Sequence, residues 1–498
     1  MGINEGAADA DKNEHFDVVI VGAGMSGIAA AYYLEHQLPH LKYVVLDSLD
    51  TFGGTWHTHQ YPGARSDSDL FTFGYQFKPW KGDPIATREQ ILDYLGEVIE
   101  ENNLAQKIKY RHQIVSAAWS SQRAEWCVAA RIHDSSRIVQ ISTAFLWMCQ
   151  GYYRHAEGYM PNWPGIDEFQ GQIIHPQKWP KDLDYQDKRI VVIGSGATAA
   201  TLVPAIAPQC QHVTMLQRTP TYFSTGRNAD KMADELRRLE IKDEWIHEIV
   251  RRKVVFDRAA VLKRAKQAPE ALKQELLAQV RAELGSEYDI DTHFTPPYRP
   301  HQQRVCFVPD GDLFKTIKQG QASVVTGEIE RITAHGIALK SGARLDADII
   351  VTATGFNMNF LGDIVFTVDG DLVDFSKTVT YRGMMFTGVP NLAWIYGYNR
   401  YSWTLRAEII ARFVCGLLSY MREIEAKSVR PAFRQEDLDM PILPWVDPEN
   451  FNPGYLMRAQ HLLPKRGDKS EWRHTQDYLS EKVEMEAIDY SNPVFSYQ

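Results

Sequence analysis

The chain has 498 residues, 44% of them hydrophobic, and can therefore bury two or three cores, so several domains are expected. Its formal charge of −9 gives no electrostatic reason to expect nucleic acid as a partner. The five cysteines lie far apart and form no CxxC pair, a pattern that suits a reducing compartment better than a disulfide framework.

No segment of the sequence predicts export or membrane insertion. Residues 1–14 are acidic and polar, lack the basic and apolar parts of a signal segment, and predict a disordered tail. No stretch approaches 18 consecutive apolar residues, so we expect no transmembrane span and a cytoplasmic protein. The sequence leaves peripheral membrane contact and the oligomeric state open.

The first element is the apolar run FDVVIV, followed by GAGMSG and the small-residue segment IAAAYYLEHQL. This order predicts a buried parallel strand, a tight turn and a helix. Gly22 permits the turn, Gly24 lets the backbone approach a pyrophosphate beside Ser26, and Gly27 allows close helix packing. A second strand, YVVLD, ends in Asp47, whose carboxylate can accept a hydrogen bond from a ribose hydroxyl. Together these features predict a dinucleotide-binding unit that holds FAD.

The same construction recurs in RIVVIGSGATAA, where Gly194, Gly196 and Ala199 take the three glycine roles. Its second strand, HVTMLQRTP, ends in Arg218, and a guanidinium suits a 2′-phosphate where an acid suits a free 2′-hydroxyl. This second unit therefore predicts an NADPH site, with a solvated loop arginine as the alternative for Arg218. The turn is completed by Ser195, Ala197 and Thr198.

The layout predicts an α/β fold of two Rossmann-like dinucleotide-binding domains, with the second inserted in the first. The chain leaves the first domain near CQGYY, and the apolar strand in LDADIIVTATGFN would return it there. We therefore predict the first part of the FAD-binding domain over 15–154 and the NADPH-binding domain over 155–344. The second part of the FAD-binding domain, with the C-terminal region, would cover 345–498.

A charged stretch from about residue 228 to 290 predicts a helical insertion in the second domain. Four apolar residues recur there at helical spacing, namely Leu272, Leu276, Val280 and Leu284. Because the polar face mixes both signs of charge, an insertion packed on the core is favoured over a membrane-surface or partner helix.

Two further motifs carry a family resemblance. The segment FQGQIIHPQKWP, with Phe169, Gly171, His175, Trp179 and Pro180, fits the pattern FxGxxxHxxxWP. This pattern and GGTWHTHQYPGARSD resemble the signatures of type I Baeyer–Villiger monooxygenases, which are class B flavoproteins. The stretches RSDSD, GYYR, VPDGDLF and SWTL are most similar to those of the ethionamide-activating monooxygenase group.

The resemblance implies an NADPH- and O2-dependent enzyme. NADPH would reduce FAD, and a C4a-peroxyflavin would insert one oxygen next to a ketone carbonyl to give an ester or lactone. The same species would S-oxygenate thioethers. The fingerprint at 169–180 would link two domains that move relative to each other, with His175 and Trp179 as positioning residues rather than proton donors.

The resemblance also assigns residues to the site, for each of which ordinary loop packing is the alternative. Arg304 would supply a fixed positive charge beside the flavin, because a guanidinium cannot lose its proton near neutral pH. Asp67 would pair with Arg304 and orient it. The remaining assignments are Gly54, Thr55 and Trp56 along the flavin, Ile114 at the adenine, Arg65 and Ser66 near the nicotinamide, and Gln217 beside Arg218. No metal site is predicted.

Three other classes of protein share part of this pattern. A flavin disulfide reductase needs a redox cysteine pair, which the spacing of the five cysteines does not offer. A flavin-containing heteroatom (N/S) monooxygenase shares FxGxxxH but lacks the WP found here. A non-enzymatic nucleotide sensor would not need Arg304, Asp67 and the linker. The substrate is not named by the sequence, although aromatic residues within 397–408 are candidates for the pocket wall.

Overall fold

The computed structural model describes residues 14–133, 135 and 137–498. The predicted disordered tail lies outside these residues except for Glu14, which begins the first strand. The first third of the chain contains β1 (Glu14–Val21), α1 (Met25–Gln37), β2 (Tyr43–Leu46), α2 (Thr55–Thr58), α3 (Leu70–Phe73), α4 (Arg88–Glu101), β3 (Ile108–Lys109), β4 (His112–Ser120), β5 (Glu125–Ile132), β6 (Ile138–Met148) and β7 (Tyr153–Gly158).

The middle of the chain alternates strands and helices around a long helical stretch. It contains β8 (Gln172–Ile174), β9 (Arg189–Ile193), α5 (Ala197–Ile206), β10 (His212–Gln217), β11 (Tyr222–Gly226), α6 (Lys231–Arg238), α7 (Asp243–Gln267), α8 (Pro269–Leu284), α9 (Ile290–Phe294), β12 (Val305–Pro309), α10 (Asp312–Lys318), β13 (Ala322–Thr326), β14 (Ile329–Thr333), β15 (Gly336–Leu339), β16 (Arg344–Asp346) and β17 (Ile349–Thr352).

The last third is built from short strands and one long helix. It contains β18 (Phe356–Met358), β19 (Val365–Val368), β20 (Asp371–Leu372), β21 (Thr380–Tyr381), β22 (Met385–Phe386), β23 (Leu392–Trp394), α11 (Trp403–Glu423), β24 (Val429–Pro431), β25 (Leu443–Pro444), α12 (Gly454–Ala459), β26 (Lys465–Arg466), α13 (Tyr478–Glu486) and β27 (Phe495–Tyr497).

The larger sheet has the order β20-β19-β4-β5-β6-β1-β2-β3, with β23 also paired to β6. Strand β1 lies between β2 and β6 and is parallel to both. Val18, Val19 and Ile20 are fully buried, because elements cover both faces of the sheet at this strand. Strands β19 and β23 come from the last third of the chain, so that region completes the first unit.

The second sheet is parallel throughout, with the order β13-β10-β9-β17-β8. Strand β17 pairs with β9 and β8 and is therefore part of this second unit. The predicted boundary at residue 345 is wrong in this respect, since the chain leaves the second sheet only after Thr352. A fully apolar run is typical of a buried parallel strand in either sheet, so its composition did not reveal which sheet it joins.

The predicted insertion is a set of four helices, α6 to α9. The four spaced apolar residues Leu272, Leu276, Val280 and Leu284 all lie buried in α8, as predicted. Pro269 stands in the first turn of this helix and Gly285, at φ +95°, follows its end, which explains both bounds. Leu277, Val280 and Leu284 pack into the core of the second unit, whereas Leu272 and Leu276 pack with Tyr222 of β11 and Ala265 of α7.

Helix α7 instead packs on the first unit. His247 hydrogen-bonds to the Trp80 amide at 3.1 Å and to the Tyr75 carbonyl at 3.0 Å. Arg251 donates to the carbonyls of Phe71 and Gly74. The insertion thus joins the two units, with α7 on one and α8 on the other.

Candidate active site

The first glycine-rich turn has the geometry of a nucleotide cradle. Gly22 has a φ of +104°, which only glycine adopts easily, and Gly24 is the N-cap of α1 without a side-chain cap. A Cβ on Gly27 would lie 1.7 Å from the Gly22 carbonyl oxygen, so the helix can approach the strand only with glycine here. The uncapped amides of the α1 N-terminus suit a pyrophosphate.

The two polar side chains predicted for this cradle are both held in place. Asp47 is 6% exposed and accepts hydrogen bonds from the amides of Ala23 at 2.5 Å and Leu49 at 2.8 Å. Burial raises the pKa of the Asp47 carboxyl, although these two amides oppose the shift. The Ser26 hydroxyl accepts a hydrogen bond from the Trp403 indole at 2.8 Å.

The second turn repeats this arrangement. Gly196 is the uncapped N-cap of α5, and a Cβ there would meet nothing within 4 Å, so the backbone is open to a ligand. Gly194 begins the turn after β9 with a φ of +130°, and Ala199 is fully buried against the second core. The Ser195 hydroxyl shares a hydrogen bond with Thr221 at 2.9 Å.

The two residues predicted at the 2′-phosphate differ in accessibility. Arg218 is exposed after the end of β10; Lys340 lowers the pKa of the Glu328 carboxyl, and the charge of Arg218 adds a smaller effect in the same direction. Gln217 is 2% exposed, and its amide nitrogen donates to the His293 carbonyl at 2.7 Å and to Thr326 at 2.9 Å. Arg218 is thus available to a ligand, whereas the side-chain nitrogen of Gln217 is already occupied by the protein.

One cavity of about 940 Å³ connects the two turns. The predicted residues in its wall are Gly22, Gly24, Ser26, Asp47, Gly54, Thr55, Trp56, Arg65, Asp67, Ile114, Ala197, Thr198 and Arg304. The other predicted residues do not line the cavity, namely Gly27, Ser66, Gly194, Ser195, Gly196, Ala199, Gln217, Arg218, His175 and Trp179. The uncapped N-termini of α1 and α5 each suit a pyrophosphate, and the Asp47 carboxylate suits a ribose hydroxyl. Together with the shared cavity, these groups fit two dinucleotides bound side by side.

Arg304 and Asp67 form a bidentate pair in this cavity. Nε of Arg304 donates to one carboxylate oxygen at 2.7 Å and Nη2 to the other at 2.8 Å. The two residues are 237 positions apart, with Asp67 after the GGTW segment and Arg304 just before β12. The pair therefore connects the first unit to the second at the cavity wall.

The electrostatics of the pair keep both groups charged. The Asp67 carboxylate raises the pKa of the Arg304 guanidinium well above its ordinary value, although burial acts in the other direction. Burial alone would raise the pKa of the Asp67 carboxyl, but the charge and hydrogen bonds of Arg304 outweigh it and lower that pKa. An arginine held in this way is a fixed cation that does not release a proton near neutral pH.

Arg65 has a partner that the sequence did not indicate. Its Nη1 lies 2.5 Å and its Nη2 3.2 Å from the two carboxylate oxygens of Asp312, at the start of α10. The PDGDLF segment contains this acid, but spacing alone does not show a contact between residues 247 positions apart. Ser66 is 4% exposed, and its hydroxyl accepts from the Ala86 amide at 3.3 Å, so it holds the loop.

The linker fingerprint packs where the chain passes between the units. Nδ1 of His175 accepts from the Gln177 amide at 3.2 Å, and Nε2 donates to the Gly355 carbonyl at 3.1 Å. Burial lowers the pKa of this imidazole, so it is neutral near pH 7 and the two bonds fix its tautomer. Trp179 packs against the second core with its ring 6.1 Å from Tyr185. Neither residue lines the cavity, and their role as positioning residues stays a prediction.

Aromatic rings form much of the cavity wall near Arg304. Tyr398, Tyr401 and Trp403 belong to the segment in which the sequence predicted a pocket wall. Tyr152 and Tyr455 were missed, and Tyr152 stacks on Trp403 at 5.0 Å. The GYYR motif contained the first of these, but no sequence signal pointed to the second.

Other expectations concern what the protein lacks. All five cysteines are free thiols. Within the described ranges, no group of three or more His, Cys, Asp or Glu side chains is arranged to hold a metal ion. No described helix combines the length and the apolar character needed to cross a membrane.

Family profiles match most of the N-terminal half of the chain. A flavin-binding monooxygenase-like profile matches residues 79–233, and an NAD(P)-binding Rossmann-like profile matches residues 20–81. The fold also resembles solved structures. An oxidized steroid monooxygenase bound to NADP gives a TM-score of 0.74 at 21% identity and covers 97% of this chain and 99% of that one. An epsilon-caprolactone-bound cyclohexanone monooxygenase gives 0.76 at 19% identity and covers 98% and 100%.

Curated relatives match over nearly the full length. The FAD-containing monooxygenase EthA of Mycobacterium tuberculosis is 43% identical over 468 residues, which are 94% of each chain. The probable FAD-binding monooxygenase AlmA of an Acinetobacter species is 40% identical and covers 97% of this chain and 96% of its own. The predicted fold class, cofactors and family resemblance are thereby confirmed. This chain belongs to the family of FAD-containing monooxygenases.

Proposed function

We propose that this monooxygenase uses NADPH and O2 to insert one oxygen next to a ketone carbonyl, giving an ester or lactone, and that it also S-oxygenates thioethers. The observation that carries the proposal is the Arg304–Asp67 pair in the wall of a cavity shared by two nucleotide cradles. The solved neighbour that holds epsilon-caprolactone supports the ketone assignment, because that lactone is cyclohexanone with one added oxygen.

Each cofactor has a set of residues suited to it. FAD would lie on the first cradle, with its pyrophosphate at Gly24 and the start of α1 and its ribose at Asp47. Ile114 would contact the adenine end through its backbone, while Gly54, Thr55 and Trp56 would lie along the flavin. Bound FAD supplies the redox chemistry by accepting a hydride from NADPH and activating O2.

NADPH would lie on the second cradle. Gly196, Ala197 and Thr198 at the start of α5 would hold its pyrophosphate. Arg218 is exposed at the end of β10 and would contact the 2′-phosphate. Arg65 and the loop of Ser66 would face the nicotinamide half. Arg304 and Asp67 line the same cavity as both turns and would therefore be near both ligands.

The protein's own contribution at the reacting centre is electrostatic. Arg304 would stabilise the negative charge that develops during oxygen transfer, and it cannot quench that charge by giving up a proton. Asp67 would hold the guanidinium plane in one orientation through its two hydrogen bonds. The aromatic wall of Tyr152, Tyr455 and Trp403 would exclude water, which strengthens these interactions.

The runner-up function is a flavin-containing heteroatom monooxygenase. The same fixed charge and the same aromatic wall would serve oxygen delivery to sulfur or nitrogen, so substrate analysis separates the two. Purified protein with NADPH and air would be given linear, cyclic and aryl ketones and thioethers, and the products identified by gas chromatography. We expect esters or lactones from at least one ketone. Sulfoxides without any ester would show that the protein is a heteroatom monooxygenase instead.

The free thiols support a cytoplasmic location.

Arg218→Ala should reduce the preference for NADPH over NADH. Charge-assisted hydrogen bonds to a phosphate contribute about 1.5 to 3 kcal/mol, so discrimination should fall roughly tenfold to hundredfold. The ratio of kcat/KM for the two nucleotides measures this directly. Arg189→Ala, which breaks an exposed pair with Asp346 and Asp348 on the same sheet, is the control and should leave the ratio unchanged. An unchanged ratio in Arg218→Ala would mean that another group binds the 2′-phosphate.

A further inference from the structure

The loop between β23 and α11 forms one side of the cavity and is held by two arginines. Tyr398 and Tyr401 of this loop line the cavity. Between them, the Asn399 carbonyl accepts from Nη1 of Arg304 at 3.3 Å, and the Arg400 carbonyl accepts from Nε of Arg258 at 2.7 Å. Consecutive peptide groups of the loop are thus fixed by guanidinium groups from two different segments, the loop before β12 and helix α7.

Arg258 belongs to the helical insertion, on the face of α7 that packs against the first unit. Arg251 lies two turns earlier on the same face, so α7 is anchored independently of the loop. Val255, one turn before Arg258, is 4% exposed and packs in one cluster with Tyr398 and Tyr401. The insertion therefore supports the two tyrosines directly and holds the backbone between them.

Arg258 also changes the charge around the reacting centre. Arg304 and Asp67 neutralise each other as a pair, whereas no ion pair among the described residues involves Arg258. Burial and the nearby charge of Arg304 lower the pKa of Arg258 to about 10, so it remains a cation at neutral pH. The region thus carries a net positive charge that the Arg304–Asp67 pair alone would not provide.

We propose that Arg258 is a positioning residue of the monooxygenase site, which fixes the Arg400 carbonyl and thereby places Tyr398 and Tyr401 against the bound substrate beside Arg304. It contacts neither cofactor nor substrate itself. A site with a misplaced wall binds substrate less well and admits water, so oxygen activation becomes uncoupled from oxygen transfer. The proposal rests on the monooxygenase reaction and holds for a ketone or a thioether substrate.

The test compares three variants at this position with one control. Arg258→Met removes the charge and the donor, Arg258→Gln keeps a donor without charge, and Arg258→Lys keeps both in altered geometry. Arg252→Met is the control, because Arg252 stands on the same helix with a 71% exposed side chain paired to Glu248. The measurements are FAD content, the rate of flavin reduction by NADPH, KM and kcat for thioanisole and for a ketone, and the yield of hydrogen peroxide.

Arg258→Met should keep its FAD and its reduction rate within about twofold, because neither cradle is touched. KM for thioanisole should rise roughly tenfold through the lost charged hydrogen bond, with more peroxide per NADPH. Arg258→Lys should recover part of both effects, and Arg252→Met should match the wild type. If Arg258→Met does not retain FAD, Arg258→Gln takes its place. The same result is then expected, namely a raised KM with an unchanged rate of flavin reduction.

Two results would overturn the proposal. One is a wild-type KM and peroxide yield in Arg258→Met. The other is a parallel loss of FAD, reduction rate and turnover in all three variants, which marks a general structural role. Failure of the ketone assignment can be distinguished from failure of this proposal, because the wild-type protein would then form no ester. Arg258 is judged against the wild type on thioanisole and on peroxide formed without substrate, which needs only NADPH and O2.

Discussion

Arg304→Ala should retain FAD and still be reduced by NADPH, but it should form hydrogen peroxide and little or no ester once oxygen is admitted. Hydride transfer requires the nicotinamide next to the flavin and does not require this guanidinium. Oxygen transfer develops negative charge beside Arg304, and the variant has no fixed cation at that position. Removing one preorganised donor to such a charge commonly costs about 2.7 to 4 kcal/mol, a factor of roughly 10² to 10³.

Stopped-flow absorbance would follow flavin reduction and reoxidation separately, and chromatography would report the ester. Arg304→Lys should recover only part of the yield, because an ammonium group lacks the planar fork that meets both oxygens of Asp67. Arg299→Ala is the matched control five residues earlier, where the guanidinium donates to the Glu449 carbonyl at 2.7 Å. Near-normal ester yield in Arg304→Ala would show that the charge is supplied elsewhere.

The local parts of the two cradles could be predicted from sequence because each depends on a short segment. Gly22, Gly27 and Asp47 are within 26 residues of one another, and glycine is needed at these turns for reasons of backbone geometry. The Arg304–Asp67 contact is different. It joins residues 237 positions apart, and only the family resemblance indicated it. The apolar pattern around Arg304 does not indicate a contact with the segment of Asp67, and the pattern around Asp67 does not indicate one with Arg304.

Other long-range contacts were not predictable in the same way. The partners of Gln217 are His293 and Thr326, which reach it from separate elements and leave its nitrogen occupied. Strand β17 is buried on both faces and mostly apolar, so its composition fits the first sheet as well as the second. The role of α7 could not be predicted, because the pattern of a mixed-charge amphipathic helix indicates that it packs on the protein but not on which surface. These features depend on which segments meet in three dimensions.

The position of Arg258 depends on how α7 is attached to the first unit. Arg251 and Glu408 form a buried ion pair at 2.7 Å, with side chains 5% and 2% exposed. Arg251 also donates to the carbonyls of Phe71 and Gly74, and Glu408 accepts from the Gln76 amide at 2.9 Å. Arg251→Met should therefore lower the free energy of unfolding by about 3 to 5 kcal/mol, because it leaves a buried carboxylate without its cation.

Urea denaturation of the FAD-loaded protein, followed by circular dichroism, would measure the decrease in the free energy of unfolding. Hydrogen exchange should show faster exchange in α7 and in the segment of the first unit that faces it. The double variant Arg251→Met with Glu408→Gln should recover much of the stability, since the uncompensated charge is then absent. Arg252→Met removes an exposed pair one residue away and should change stability by no more than about 0.5 kcal/mol. Equal effects of Arg251→Met and Arg252→Met would show that the buried pair does not anchor the helix. In that case α7 would be held mainly by apolar contacts such as those of Val250 and Val255, which are 0% and 4% exposed.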